Sequence, residues 1–211
     1  MDKYLPFLFF FLALFAIIFY VFFKFKTNKE FSFARIFPFE TNKSSLEIRV
    51  SLISLGVFSI CSVFYYLNIY FKTFTNNYLF IASLSAFAIC ILFLLLNIVN
   101  LTHLKVHLLI FSLYIALVTT HSVVLGFHAI NAYKISGVNV AYLVISILSF
   151  VKAFIELLLV SPLFKFSLLM DVNLEEGTIK RPAFIRQALY EWIYLMFFIV
   201  DGFLLLIVKS L

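Results

Sequence analysis

The sequence predicts an all-α integral membrane protein, a polytopic bundle of six transmembrane helices. Composition is the first reason. Of 211 residues, 64% are hydrophobic and 12% charged, against roughly 45–50% apolar and about 25% charged in a soluble domain. Distribution is the second. The apolar residues gather into runs of about 20, the length that crosses a hydrocarbon core of about 30 Å at about 1.5 Å per residue. The alternating segments of about 10 residues that mark a transmembrane β-barrel are missing from the sequence.

The runs fall at about 4–23, 50–71, 78–99, 108–130, 138–160 and 189–208, in a single transmembrane domain spanning the chain. The first is too long for the core of a signal peptide and no small-residue cleavage site follows it, so it is expected to remain as a helix. Lys24, Lys26 and Lys29 come directly after it. The loop at 24–49 interleaves Phe31, Phe33, Ile36, Phe37 and Phe39 with Lys, Arg35 and Glu40. That mixture suits the membrane interface, where rings sink and basic heads meet anionic lipid, although a solvated linker fits equally well. Pro38 argues against one continuous helix there.

The second and third runs, and the fourth and fifth, each read as a hairpin with a short connection. An offset of 64 residues aligns Tyr78 with Tyr142, Leu79 with Leu143 and Ser85 with Ser149. An alphabet so rich in Leu, Ile and Phe yields such matches easily, so they hint at similar hairpins and no more. Thirty Phe against five Gly, with no GxxxG, points to helices held apart by bulky side chains. Cys61 and Cys90 fall inside apolar runs and read as small hydrophobes.

After the fifth run, Ser161 and Pro162 look like a helix start, and NLEEGT at 173–178 is a clear turn. From Pro182 a helix carrying Arg186, Gln187 and Glu191 is expected to continue into the sixth run. Tyr190, Trp192 and Tyr194 would then form an aromatic belt at the interface. Both this loop and the one at 24–49 are expected on or near the membrane surface.

A net charge of +6 does not indicate nucleic acid, because the basic residues sit beside apolar runs. They report topology instead. The first, third and fifth loops hold eleven Lys and Arg; the opposite side holds four, Lys3, Lys72, Lys134 and Lys209. This asymmetry places those loops inside and both termini on the external side of a bacterial plasma membrane or an organelle inner membrane.

Ionisable residues inside a bilayer are costly, so each marks a candidate site. Four qualify: His121, Lys152, Glu156 and Asp201. Lys152 and Glu156 are four apart on one helical face and can pair; a structural pair facing the bundle interior ranks ahead of a substrate-binding one. His121 lies in the most polar run, beside Thr119, Thr120 and Ser122. Counted from the external helix ends, its depth and that of Asp201 differ by only about 5 Å, so the two can meet if their helices are neighbours. Such a pair could carry a proton near neutral pH.

His107, Tyr114, His121 and His128 recur every seven residues as one stripe. Seven residues span about 10 Å, too far for two imidazoles on one metal. His103 and His107, four apart, read better as solvated histidines beside Lys105. No metal and no cofactor is predicted. Nucleophile elbows, HExxH and phosphate-cradling Gly-rich loops are absent from the sequence, so the chain leans away from an enzyme. Arg35, Lys180, Arg181 and Arg186 are candidate lipid-headgroup contacts, a pattern that inside-positive loops also produce.

The expected partners are the lipid bilayer and other membrane protein subunits, not nucleic acid. The leading functional expectation is a non-enzymatic subunit or assembly partner of a larger membrane complex. A small proton-coupled transporter using His121, Asp201, Lys152 and Glu156 comes second, weakened because Gly breaks in the runs near them, Gly126 among them, are few. A lipid-modifying enzyme comes third.

Overall fold

The computed structural model describes residues 4–28, 31–38, 45–70, 77–99, 104–136, 139–160 and 186–210. All regular structure among them is helical: α1 (Leu5–Thr27), α2 (Ser45–Tyr70), α3 (Asn77–Ile98), α4 (Leu104–Ser136), α5 (Val140–Val160) and α6 (Arg186–Ser210). Each of the six is long and apolar enough to cross a membrane. The helix start at Ser161 and Pro162, the turn at 173–178 and the stretch from Pro182 to α6 lie outside the described residues, as do Lys180 and Arg181.

Local chemistry sets several of the helix ends. Pro6 sits in the first turn of α1, where its missing N–H has no intrahelical partner to lose. The other end of α1 runs past the predicted limit to Thr27, with Lys24 and Lys26 in the last turn, where cations complement the helix dipole. Asn139 caps α5: its Oδ1 accepts the Ala141 N–H at 3.1 Å, and its carbonyl accepts the Tyr142 N–H at 3.1 Å. The longest helix, α4, has 33 residues. At about 1.5 Å each it is about 50 Å long, so it tilts or projects beyond a hydrocarbon layer of about 30 Å.

Successive helices pack side by side from α1 through α5, and α6 then returns against α4, α5 and α1. This closes the bundle. The apolar stretch of α6 is 61% buried, against 33% for those of α1 and α5, so α6 is the innermost helix. Around it Phe58, Phe93, Leu96, Phe111, Tyr114 and Val118 form part of one continuous core with Leu195 of α6. Outward stripes such as Phe11, Phe15, Ile18 and Phe22 on α1, and Val144, Ile147, Val151 and Phe154 on α5, are exposed at helical spacing. In lipid such stripes carry no drive to associate, so van der Waals packing and interhelical polar contacts hold the bundle together.

Glycine serves ring packing here. A Cβ on Gly126 would lie 2.9 Å from the Phe150 ring, and one on Gly202 3.0 Å from the Phe10 ring. The spacing is thus set by aromatic side chains seated on glycine, in keeping with the scarcity of small-residue motifs.

Residues 31–38 fold back over one end of the bundle. Ile36 and Phe37 are buried, and Phe31 and Phe33 stand edge-on to Trp192 with centroids 6.1 and 5.1 Å away. The Trp192 Nε1–H donates to the Ile36 carbonyl at 2.8 Å, and the Tyr20 hydroxyl donates to that of Pro38. This part of the loop packs on protein where the sequence suggested a lipid or solvent surface. The expected aromatic belt is corrected for the same reason: Tyr190, Trp192 and Tyr194 are all buried, because α6 is surrounded by other helices and by this segment.

Candidate functional site

Three helices bring polar side chains to one point inside the bundle, and two of them, α5 and α6, bring charges. Lys152 and Glu156, one turn apart on α5, face inward, and the Lys152 Nζ donates to Glu156 Oε1 at 2.7 Å. Asp201 on α6 enters from the other side, with its Oδ2 2.9 Å from the same Nζ. Ser122 on α4 completes the group; its Oγ accepts from Lys152 and lies 3.0 Å from Glu156 Oε2 and 3.2 Å from Asp201 Oδ2. Glu156, Asp201 and Ser122 are fully buried and Lys152 is 6% exposed. The Lys152 stem also lays its ammonium over the Phe197 ring, 5.3 Å from the centroid.

The donor inventory is tight. An ammonium has three hydrogens, and Ser122, Glu156 and Asp201 take all three. Ser122 has one hydrogen, for which the Val118 carbonyl at 2.9 Å and both carboxylates compete. Asp201 Oδ1 has no hydrogen-bond partner among the described residues. The backbone is held separately: the Tyr194 hydroxyl donates to the Glu156 carbonyl at 2.6 Å, and that of Tyr65 to the Gly202 carbonyl at 2.5 Å. These bonds tie α5 and α2 to α6 on either side of the cluster.

His121 precedes Ser122 but turns toward α3. Its Nδ1 lies 3.2 Å from the Ala82 carbonyl and 3.0 Å from Ser85 Oγ, and Ser85 itself donates to Ala82 at 2.9 Å. A carbonyl can only accept, so the hydrogen of the neutral ring sits on Nδ1. Nε2 is then a buried acceptor without a partner among the described residues. Tyr66 and Phe198 flank the ring, with centroids 5.4 and 6.3 Å away. The contact between His121 and Asp201 that their depths allowed is not made; Asp201 meets Lys152 and Ser122 instead.

Two further charge contacts lie at the end of the bundle that 31–38 covers. Lys24 Nζ is 3.2 Å from Glu47 Oε1, joining α1 to α2 with both side chains almost fully buried. His107 lies between Glu191 Oε1 on α6, 3.0 Å from its Nε2, and the Val99 carbonyl, 3.1 Å from its Nδ1. His107 is therefore an interhelical link and not a solvated histidine; His103 lies outside the described residues. Sequence reading missed both contacts. Lys24 counted there as a loop charge, and Glu47 was not singled out. Arg35 is half-buried within 31–38, and Arg186 opens α6.

Comparison with known proteins finds no match, whether among protein-family models, curated proteins or solved structures. The site has to be read from its own chemistry.

Proposed function

We propose that this multi-pass membrane protein is a non-enzymatic member of a larger membrane assembly, held as a firm bundle that presents its apolar faces to lipid and to partner helices. The supporting observation is where the buried charges go. Lys24 with Glu47, His107 with Glu191, and Lys152 with Asp201 clasp helix to helix, while the outward stripes of α1 and α5 are apolar. Buried polar contacts of this kind specify which helices pair. By the Lys and Arg asymmetry both termini lie on the external side, with the Lys24 end of the bundle inside. On that orientation the basic residues Arg35, Lys180, Arg181 and Arg186 fall in inside segments of the chain and are proposed as headgroup contacts.

The test is gentle solubilisation of the tagged full-length chain from its own membrane, followed by native mass measurement. A stoichiometric second chain beside the 24.5 kDa protein is expected. A lone monomer under conditions that preserve known complexes of the same membrane would overturn the reading.

One observation favours a second reading, a small proton-coupled transporter: two carboxylates converge on one ammonium in the bundle interior. Uptake and proton flux in liposomes separate the two readings. Flux abolished by Asp201→Asn would replace the assembly reading, and flux no greater than in empty liposomes would remove the transporter.

A further inference from the structure

The charge cluster has an imbalance that its packing does not cure. With all three groups ionised, Lys152 carries one positive charge against the two negative charges of Glu156 and Asp201. A net charge in a dry interior is far more costly than a neutral group, and a buried carboxyl without compensation takes up a proton instead. Among the described residues no second cation reaches the cluster. From α4, Ser122 is neutral, His121 is a neutral ring committed through Nδ1 to Ala82, and Tyr114 is a phenol. From α6 the Tyr194 hydroxyl is used on the Glu156 carbonyl, and from α2 the Tyr65 hydroxyl on that of Gly202.

An independent observation says where the missing positive charge belongs. Asp201 is fully buried, and its Oδ1 receives no hydrogen bond from the described residues. Both Glu156 oxygens, in contrast, have a donor within reach, Lys152 at Oε1 and Ser122 at Oε2. An ionised carboxylate oxygen left bare in such a place is the least satisfied polar atom of the group.

We propose that this cluster is a proton-binding site: one exchangeable proton, taken from water, resides on Asp201 Oδ1 and makes the Lys152–Glu156–Asp201 group electrically neutral. The step forms one O–H bond and breaks none within the protein. Lys152 and Glu156 remain an ion pair, and Asp201 keeps its Oδ2 as an acceptor for Lys152. The site binds its proton whether or not the protein moves a solute, so it stands apart from the assembly reading.

Infrared spectroscopy on the full chain in lipid vesicles at neutral pH tests this directly. A protonated carboxyl has a carbonyl stretch well separated from that of a carboxylate. The expected result is such a band in the wild-type protein, shifted by ¹³C-carboxyl labelling of aspartate and by deuterium exchange, and absent in Asp201→Asn. The chain contains only two other aspartates, Asp2 and Asp171, so Asp2→Asn/Asp171→Asn must retain the band. Absence of any aspartate-labelled band in the wild-type protein, which needs no variant to fold, would overturn the proposal. So would a band that responds only to labelled glutamate, or one that persists in Asp201→Asn.

Discussion

The Lys152 ammonium lies 2.9 Å from Asp201 Oδ2 and 2.7 Å from Glu156 Oε1, so one cation on α5 holds a neighbour on its own helix and a partner on α6. Removing the cation and removing one carboxylate are therefore unequal changes. Lys152→Met leaves two carboxyl groups facing each other and is expected to cost about 3 kcal/mol. Asp201→Asn leaves one cation with one anion and is expected to stay within about 1 kcal/mol of wild type. Thermal unfolding in detergent decides; equal losses in the two variants would contradict this ordering.

The Lys24–Glu47 contact joins α1 to α2 with both partners buried. Either Lys24→Met or Glu47→Leu alone takes an ion-pair partner from a buried charge, at a cost of about 3 kcal/mol. The double substitution should recover most of that loss. A double-mutant cycle on unfolding measures the coupling, and strictly additive effects would show that the contact is not formed.

Gly126 and Gly56 make a contrasting pair. Alanine at Gly126 places a Cβ 2.9 Å from the Phe150 ring, whereas around Gly56 there is nothing within 4 Å. Gly126→Ala should destabilise by about 1–3 kcal/mol, with recovery in Gly126→Ala/Phe150→Leu. Gly56→Ala should be neutral or stabilise by up to about 1 kcal/mol through helix propensity. Melting temperatures in the same detergent rank the three variants.

Trp192 is the only tryptophan in the chain, and it is enclosed by Tyr20, Phe31 and Phe33. Its fluorescence should be blue-shifted and resistant to quenching by iodide. Truncating Phe31 and Phe33 to Ala together should open it to the quencher. A red-shifted, freely quenched wild-type spectrum would mean that residues 31–38 do not cover this end of the bundle.

What the sequence made legible follows the range of the forces involved. The six helices could be read because run length against bilayer thickness is a local property of the chain. So could the Lys152–Glu156 pair, since spacing of four places both on one face. The depth of Asp201 was also legible, but not its partner: whether Lys152 or His121 receives it depends on how α4 turns, and α4 directs its imidazole to Ser85 and Ala82. Lys24 with Glu47, and His107 with Glu191, are 23 and 84 residues apart, and no periodicity links such positions. The belt of Tyr190, Trp192 and Tyr194 failed because hydropathy gives the same value to a ring facing lipid and a ring facing another helix.

The position of α6 carries a consequence for how the protein comes into being. Of the six helices, the one that fills the middle of the bundle is made after the other five, which therefore enter the membrane before their shared core is filled. Until then Lys152 has Glu156 and the Ser122 hydroxyl, a group that is already neutral and can wait in the lipid. Asp201 arrives last, so the order of synthesis delays the third charge until the other two are in place to receive it.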